Sequence, residues 1–352
     1  MSWGFVMNDR FLPVGKLKNE LLEKYLSRFP LTDPKVLVGP KIGEDAAVID
    51  FGGQYLVVAS DPVTFVTQEI GWYAINVNAN DIAVMGARPQ WFLATILLPE
   101  NKTTPDLAEN IFNQLHQAGQ ELGVSIVGGH TEITTGIDHP IIVGSMLGLA
   151  AHDKLVTSSG AKVGDDILLI KGLAIEGTAI IATEKEQELL QAGLPKDFLK
   201  KCQAFLHNPG ISVLQEALFI NDIAKIHCMH DPTESGLAGG LREIALASGV
   251  GLALRREKIE IYRETEIICR HFALDPLGLI ASGALICTLD GSQTTRLVTK
   301  LTERGISFSI IGKVVEKEKG LTFEDMGNTP WPVFDQDEII KVIGGHGTRP
   351  LS

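Results

Sequence analysis

One predicted helix constrains the fold of this chain more than any other feature. Residues 72–85 predict a helix that is apolar around most of its circumference and is closed by Gly86 and Pro89, and a helix without a polar face is buried. It nevertheless carries Asp81, together with Asn76, Asn78 and Asn80. Burying an unpaired carboxylate costs several kcal/mol, so Asp81 is expected to have a partner. The alternative, an Asp81 that faces solvent near the helix C-terminus, is disfavoured by the helix dipole.

The length of 352 residues predicts two domains. A polar stretch at residues 152–164 marks the boundary between an N-terminal domain (1–155) and a C-terminal domain (160–330), followed by a tail (331–352). Apolar runs and stripes alternate between strand and helix periodicity, which is typical of an α/β protein. The predicted strands are 36–38, 46–49, 55–59, 92–98, 124–127, 140–149, 166–170, 224–228, 283–289 and 307–315, and the predicted helices include 17–26, 72–85, 106–123 and one from Leu237.

Three further aspartates lie at the ends of predicted strands: Asp45, Asp61 and Asp231. Taken singly, Asp45 and Asp61 also fit turn formers and Asp231 fits a helix N-cap. If they converge with Asp81 on one cleft, a cation must offset their repulsion, and Mg²⁺, which prefers oxygen ligands and bridges carboxylates to phosphates, is the natural candidate.

Two glycine-rich segments are candidate anion sites. The strand 124–127 runs into Gly128-Gly129, whose backbone N–H groups could bind a phosphate, although a plain turn is the alternative. His130 next to it fits a loop residue, a phosphate donor or a base. The loop 231–240 precedes a helix whose N-terminus could also bind an anion, with ordinary capping as the alternative.

Composition excludes several classes of protein. A net charge of −12 argues against a nucleic-acid binder, and the longest nearly apolar stretch, 140–151, is too short to cross a bilayer. The four separated cysteines favour neither disulfides nor a zinc site, so a reduced, cytoplasmic protein without a signal peptide is expected. No P-loop, dinucleotide-binding, zinc-protease or nucleophile-elbow motif is present, so a bound nucleotide would depend on Mg²⁺ and backbone amides.

Five segments in order resemble the aminoimidazole ribonucleotide (AIR) synthetase, or PurM-like, superfamily: GEDAAVID, SDPVTF, NANDIAVMGARP, GGHTEI and HDPTESGLAGGLREIA. Within it the chain is most similar to the hydrogenase maturation factor HypE, through Asp231-Pro232-Thr233 and residues 274–277. The resemblance covers residues 35–315. It implies a two-domain α/β subunit whose N-terminal sheet pairs with that of a second copy into a barrel, with ATP in a cleft beside the C-terminal domain.

The resemblance also implies roles for individual residues. Asp45, Asp81 and Asp231 match the Mg²⁺-binding aspartates. Asp81 and Asp231 are candidate catalytic residues, and so is His130, which stands where several relatives have Asp. The expected nucleotide contacts are Asp61, Asn80, Gly128, Gly129, Thr131 and Thr233. HypE-type proteins end in a cysteine that receives a carboxamide, whereas the last cysteine here, Cys287, lies in a predicted strand, so dehydration on a terminal cysteine is not expected.

Three functions remain open at the level of sequence. The first is an ATP- and Mg²⁺-dependent phosphotransferase or dehydrating enzyme acting on a small molecule or carried group. The second is a nucleotide-binding maturation protein that acts through a partner protein, and the third is a small-molecule kinase similar to thiamine-monophosphate kinase. In each case the expected assembly is a homodimer.

Overall fold

Two seven-stranded sheets organise the protein, and the expected α/β fold is confirmed. The computed structural model describes residues 12–343. The first sheet has the order β1-β2-β3-β7-β5-β6, with β4 also paired to β7. Its strands are β1 (Val36–Val38), β2 (Ala47–Asp50), β3 (Tyr55–Ala59), β4 (Pro62–Val63), β5 (Arg88–Pro99), β6 (Ser125–Thr134) and β7 (Ile141–Ala150).

The second sheet has the order β14-β13-β10-β12-β8-β11-β9. Its strands are β8 (Asp166–Ile170), β9 (Ile226–His230), β10 (Gly251–Leu254), β11 (Leu285–Leu289), β12 (Phe308–Val315), β13 (Leu321–Phe323) and β14 (Thr329–Pro330). The helices are α1 (Asn19–Leu26), α2 (Ile70–Val84), α3 (Pro105–Leu122), α4 (Ile175–Glu184), α5 (Glu186–Gln191), α6 (Lys196–Gln203), α7 (Leu214–Ile223), α8 (Gly236–Ser248), α9 (Arg263–Phe272), α10 (Gly291–Glu303) and α11 (Ile340–Ile343).

Helix α2 is the buried helix predicted from its sequence. Every residue of it except Trp72 is buried, because β7, α3 and α7 pack around it. Glycines on β7 allow this close approach: a Cβ at Gly144 would lie 2.4 Å from Nδ2 of Asn78, and one at Gly148 would lie 2.3 Å from Ile82. Asn78 in turn accepts a hydrogen bond from the backbone N–H of Asp61 at 3.0 Å. The packing therefore brings the polar residues of α2 to the loop that carries Asp61.

Two expectations differ from the structure. The Gly128-Gly129 pair does not end a strand, since β6 continues to Thr134. Residues 331–343 of the expected tail pack against the part of the protein that contains the second sheet. There the indole N–H of Trp331 donates to the carbonyl of Ala238 on α8 at 3.1 Å. The rest of that tail, 344–352, lies outside the described residues.

Candidate active site

Four aspartates that are distant in sequence form one buried group, which we call the aspartate cluster: Asp45, Asp61, Asp81 and Asp231. Asp45 precedes β2, Asp61 lies between β3 and β4, Asp81 is in the last turns of α2, and Asp231 follows β9. The Asp81 carboxyl donates a hydrogen bond to Asp61, and the negative charges of Asp231 and Asp45 repel its ionised form. Asp81 and Asp231 are 6% and 2% exposed. Both sheets thus contribute acids to one site.

Burial and mutual repulsion disfavour the ionised form of three of these carboxyls, those of Asp61, Asp81 and Asp231. Burial, and then the charges of Asp61, Asp231 and Asp45, raise the pKa of Asp81 well above its usual value. Burial and the nearby Asp45 likewise raise the pKa of Asp231, with partial relief from His230. The pKa of Asp61 is raised by burial, against the hydrogen bond from Asp81 and the charge of Lys16. The ionised carboxylates of the cluster therefore repel one another unless a cation is bound.

The donor set of the cluster fits Mg²⁺. Both side-chain oxygens of Asp231 are buried and have no hydrogen-bond partner among the described residues, and an orphaned buried carboxylate is costly. Carboxylate oxygens are the ligands that Mg²⁺ prefers, usually one or two of them with water and phosphate completing the shell. No three His, Cys, Asp or Glu side chains within residues 12–343 already stand in a metal-binding arrangement. A cation with few protein ligands suits this geometry better than an all-protein cage.

A buried imidazole links the cluster to helix α8. Nδ1 of His230 lies 2.7 Å from Oδ1 of Asp45, and its Nε2 lies 3.2 Å from Oε2 of Glu243. Burial alone would lower the pKa of His230, but Asp45 and Glu243 raise it well above the usual value. The hydroxyl of Ser158 also donates to Asp45 at 2.7 Å. His230 and Ser158 therefore fix the orientation of Asp45.

Lys16 adds a positive charge at the outer side of this network. Its Nζ lies 3.3 Å from Oε1 of Glu243, and its backbone N–H donates to Glu234 at 3.0 Å. Burial would raise the pKa of Glu243, but the charges of Lys16 and His230 lower it to about 2. Lys16 is half-exposed and borders a cavity of about 330 Å³ between the segment before α1, the start of α8 and residues 332–337.

Sequence reasoning missed Lys16, His230 and Glu243. For His230 a signal existed, because it directly precedes Asp231. Lys16 and Glu243 are 227 residues apart, so no local pattern could have paired them.

Two expected nucleotide contacts near the cluster, Asn80 and Thr233, differ in whether their side chains already have hydrogen-bond partners. Both polar atoms of the Asn80 amide have a protein partner: Nδ2 donates to the carbonyl of Ile211 at 2.9 Å, and Oδ1 accepts from the N–H of Val213 at 2.8 Å. Asn80 thereby ties α2 to the segment before α7, and one N–H and one lone pair of its amide remain for a ligand. Thr233 is half-buried in the loop after Asp231, and its hydroxyl makes no hydrogen bond to a described residue.

The remaining expected contacts lie on β6, away from the cluster. Gly128, Gly129, His130 and Thr131 are exposed on this outermost strand. His130 is level with Thr95 of β5, then Val143 of β7, then Pro62 of β4. Three steps between strands amount to roughly 14 Å. Within one chain His130 is therefore distant from the aspartates, and its Nε2 lies 3.1 Å from Glu132. Its catalytic role stays a prediction.

The loop before α8 is held by a carboxylate from residues far along the chain. Asp337 accepts hydrogen bonds from the backbone N–H groups of Ser235 at 2.6 Å, Ile339 at 2.8 Å and Ile280 at 3.2 Å. Ser235 is the residue before α8, and its own side chain makes no capping hydrogen bond. Anion binding and ordinary capping at this helix N-terminus both stay predictions.

Comparison with known proteins decides the family. The family model described as AIR synthase related protein, N-terminal domain, matches residues 43–150, and that of the C-terminal domain matches residues 162–323. The chain belongs to the AIR synthase related family. The resemblance expected from the five sequence segments is confirmed.

Several members of the family are similar over most of their length. A putative hydrogenase expression/formation protein of Methanocaldococcus jannaschii is 28% identical over 88% of this chain and 91% of its own. The carbamoyl dehydratase HypE of Azotobacter vinelandii is 29% identical over 78% of this chain and 79% of its own. These relatives confirm the expectation of an enzyme of this superfamily that is similar to HypE.

The solved structures show the same fold. The hydrogenase maturation protein HypE in complex with ATP superposes with a TM-score of 0.65 at 24% identity, over 88% of this chain and 92% of that one. A HypE–HypF complex gives a TM-score of 0.67 at 23% identity, over 83% of this chain and 93% of that one.

None of the helices within residues 12–343 combines the length and the apolar character that a membrane span requires.

Proposed function

We propose that this protein is an ATP- and Mg²⁺-dependent enzyme that phosphorylates, or dehydrates by way of a phosphorylated intermediate, a small molecule or a carried group. The observation that carries the proposal is the orphaned Asp231 carboxylate inside a cluster of three other aspartates. A buried acidic group of this kind is stable in its ionised form only with a cation. The relative solved with ATP supports the choice of nucleotide.

In this proposal each residue of the network has a defined task. One or two of the carboxylates of Asp45, Asp81 and Asp231 would hold Mg²⁺ at a time, and the ion would neutralise phosphate charge. Asp61 accepts the hydrogen bond from Asp81 while that carboxyl is protonated and is released when it ionises. His230 keeps Asp45 in place. Phosphoryl transfer requires mainly positioning and charge neutralisation, and both are present here.

The experiment measures ADP release from Mg·ATP, with and without candidate metabolites, in the protein and in Asp81→Asn. We expect Asp81→Asn to weaken Mg·ATP binding strongly and to abolish turnover. The matched control is Asp153→Asn, because Asp153 is an exposed carboxylate without a side-chain partner among the described residues. Unchanged nucleotide affinity in Asp81→Asn would contradict the proposed site. Binding without turnover under every condition would favour the nucleotide-binding maturation protein.

We also propose that the protein is a homodimer paired along β6 into a barrel. β6 bonds to β5 on one side only, and it exposes Ile126, Val127 and Ile133 (42%, 55% and 63%). A long apolar edge strand invites pairing with another strand. Light scattering on Val127→Lys tests this: we expect a dimer for the unaltered protein and a monomer for the variant, and a monomer in both would contradict it.

A further inference from the structure

A second cavity lies near the other end of helix α2 from the aspartate cluster. Its volume is about 240 Å³, and it is enclosed by the loop before α2, the end of α4, α5 and α6. Tyr73 of α2 lines it. Because Tyr73 precedes Asp81 by eight residues, the two sites are roughly 12 Å apart along the helix. This cavity, which we call the α2–α4 cavity, is therefore separate from the aspartate cluster.

Three carboxylates line the α2–α4 cavity, and no lysine or arginine of the described residues does so. Glu69 is paired with His207 at 2.8 Å. Glu184 only accepts a hydrogen bond from the hydroxyl of Thr67 at 3.3 Å. Glu186 has no ion pair within residues 12–343, and Lys185, between these two in sequence, is not part of the lining. The cavity thus holds two carboxylates that are not neutralised.

A tyrosine hydroxyl in the cavity wall points independently to a ligand. Tyr73 is 3% exposed, and its hydroxyl makes no hydrogen bond to a described residue. Since that oxygen is not itself fully buried, it opens onto the cavity that Tyr73 lines. Among the nearby carboxylates, Glu69 and Glu184 belong to the cavity wall. A polar group that faces a cavity forms its hydrogen bonds there with water or with a ligand. A protonated phenol offers an acceptor lone pair to a ligand N–H.

The end of helix α4 adds to the negative potential. Glu184 is the last residue of α4, which has ten residues. The C-terminal carbonyl groups of a helix carry partial negative charge and favour cations. The rest of the wall is apolar, with Val66, Ile180 and Leu206 among its residues. An apolar wall with charges at its rim suits an organic cation better than a strongly hydrated metal ion.

We propose that the α2–α4 cavity binds a small organic cation with two ammonium groups on a short apolar chain. One ammonium lies between Glu184 and Glu186, and the other donates to the hydroxyl oxygen of Tyr73 near Glu69. The first ammonium thus meets both unneutralised carboxylates, and the second meets a neutral acceptor beside the Glu69–His207 pair. The volume corresponds to that of roughly eight water molecules, enough for a chain of about six heavy atoms. The site requires neither ATP nor Mg²⁺ and so stands independently of the proposed function.

Calorimetric titration of the full chain at low salt, without nucleotide, tests this with three matched probes. The probes are 1,4-diaminobutane, butylamine and 1,4-butanediol, which have similar shape and carry two, one and no charges. We expect one diamine to bind per chain, butylamine to bind about tenfold more weakly, and the diol not to bind, since a hydrogen bond to a charged group contributes about 1.5–3 kcal/mol. No heat with the diamine, or equal heat with the diol, would overturn the proposal.

Variants locate the binding. Glu184→Gln keeps the size of an exposed side chain and is expected to weaken diamine binding about tenfold, and Tyr73→Phe to weaken it several-fold. Glu188→Gln on α5 is the control, because Glu188 is exposed and does not line the cavity, and it should bind as the unaltered protein does. Equal affinity in Glu184→Gln, or displacement of the diamine by stoichiometric Mg²⁺, would overturn the proposal. Failure of ATP turnover would leave these results unaffected.

Discussion

The aspartate cluster and strand β6 were both expected to belong to one nucleotide site, yet they differ in burial and in the kind of interaction that each leaves unsatisfied. The cluster is buried and unsatisfied in charge, with Asp231 lacking any hydrogen-bond partner among the described residues. β6 is exposed and unsatisfied in backbone hydrogen bonds along its outer edge. In the proposed function the first region binds a cation and the second pairs with a strand of another copy. Polar residues at strand ends do not by themselves mean a shared site.

The largest effect is expected for His230→Ala, which removes the cation that compensates the cluster. Asp45 and Glu243 both lose their buried partner, and breaking a buried ion pair costs about 3–5 kcal/mol. Chemical denaturation measures the loss of free energy of unfolding. His116→Ala is the control, since His116 is exposed on α3 and its loss should change the stability by less than about 0.5 kcal/mol. Equal stability of the two variants would show that the network does not bind the domains together.

Asp231→Asn should separate stability from function at the cluster. Removing a repelling buried carboxyl is expected to stabilise the metal-free protein by about 1–3 kcal/mol, while Mg·ATP affinity falls about a hundredfold, or about 2.8 kcal/mol. Thermal unfolding and calorimetry measure the two quantities. A variant that loses stability and keeps its affinity would reverse the assignment of Asp231.

A pair of glycine variants tests the backbone register of strand β6. A Cβ at Gly129 would lie 2.0 Å from the carbonyl of Ala94, and its φ is +147°, so Gly129→Ala should destabilise the protein by about 1–3 kcal/mol. At Gly128 the nearest atom is 3.9 Å away, and Gly128→Ala should be tolerated. Equal effects would mean that β6 does not have the register described above.

The smallest effect concerns pH. Burial raises the pKa of Glu176 to about 7, against hydrogen bonds from Ser282. Between its usual value and 7 the folded state binds more protons than the unfolded state, so the free energy of unfolding falls as pH rises through that window. Glu176→Gln should make this fall shallower by at most about 1.4 kcal/mol per pH unit. An unchanged slope in denaturation between pH 5 and 7 would show that Glu176 ionises normally.

Much of the fold was predictable, because its signals are local. The mostly apolar α2, the stripe of α3 with its end at Gly123, and ten of the fourteen strands within residues 12–343 follow from periodicity. The sequence did not predict the four short strands β4, β10, β13 and β14. The continuation of β6 through Gly128-Gly129 was not predictable, since glycines usually end strands. It depends on the parallel pairing with β5.

The candidate site was predictable only in part. Asp81 could be singled out because a carboxylate on an apolar helix requires a partner. The other three aspartates could be singled out because they lie at the ends of predicted strands. The partners themselves could not, since His230 meets Asp45 across 185 residues of chain and Lys16 meets Glu243 across 227. The amide of Asn80 fits a ligand contact in sequence and turns out to hold two segments together. Only the folded chain shows which polar atoms remain free.

The central claim is that the aspartates bind a divalent cation together with ATP. The most direct measurement is anomalous diffraction from crystals of the protein grown with ATP and Mn²⁺ in place of Mg²⁺. The account predicts a manganese peak within about 2.3 Å of a carboxylate oxygen of Asp231, with the triphosphate beside it. ATP bound with no manganese at the cluster, or manganese bound only at other carboxylates, would contradict it.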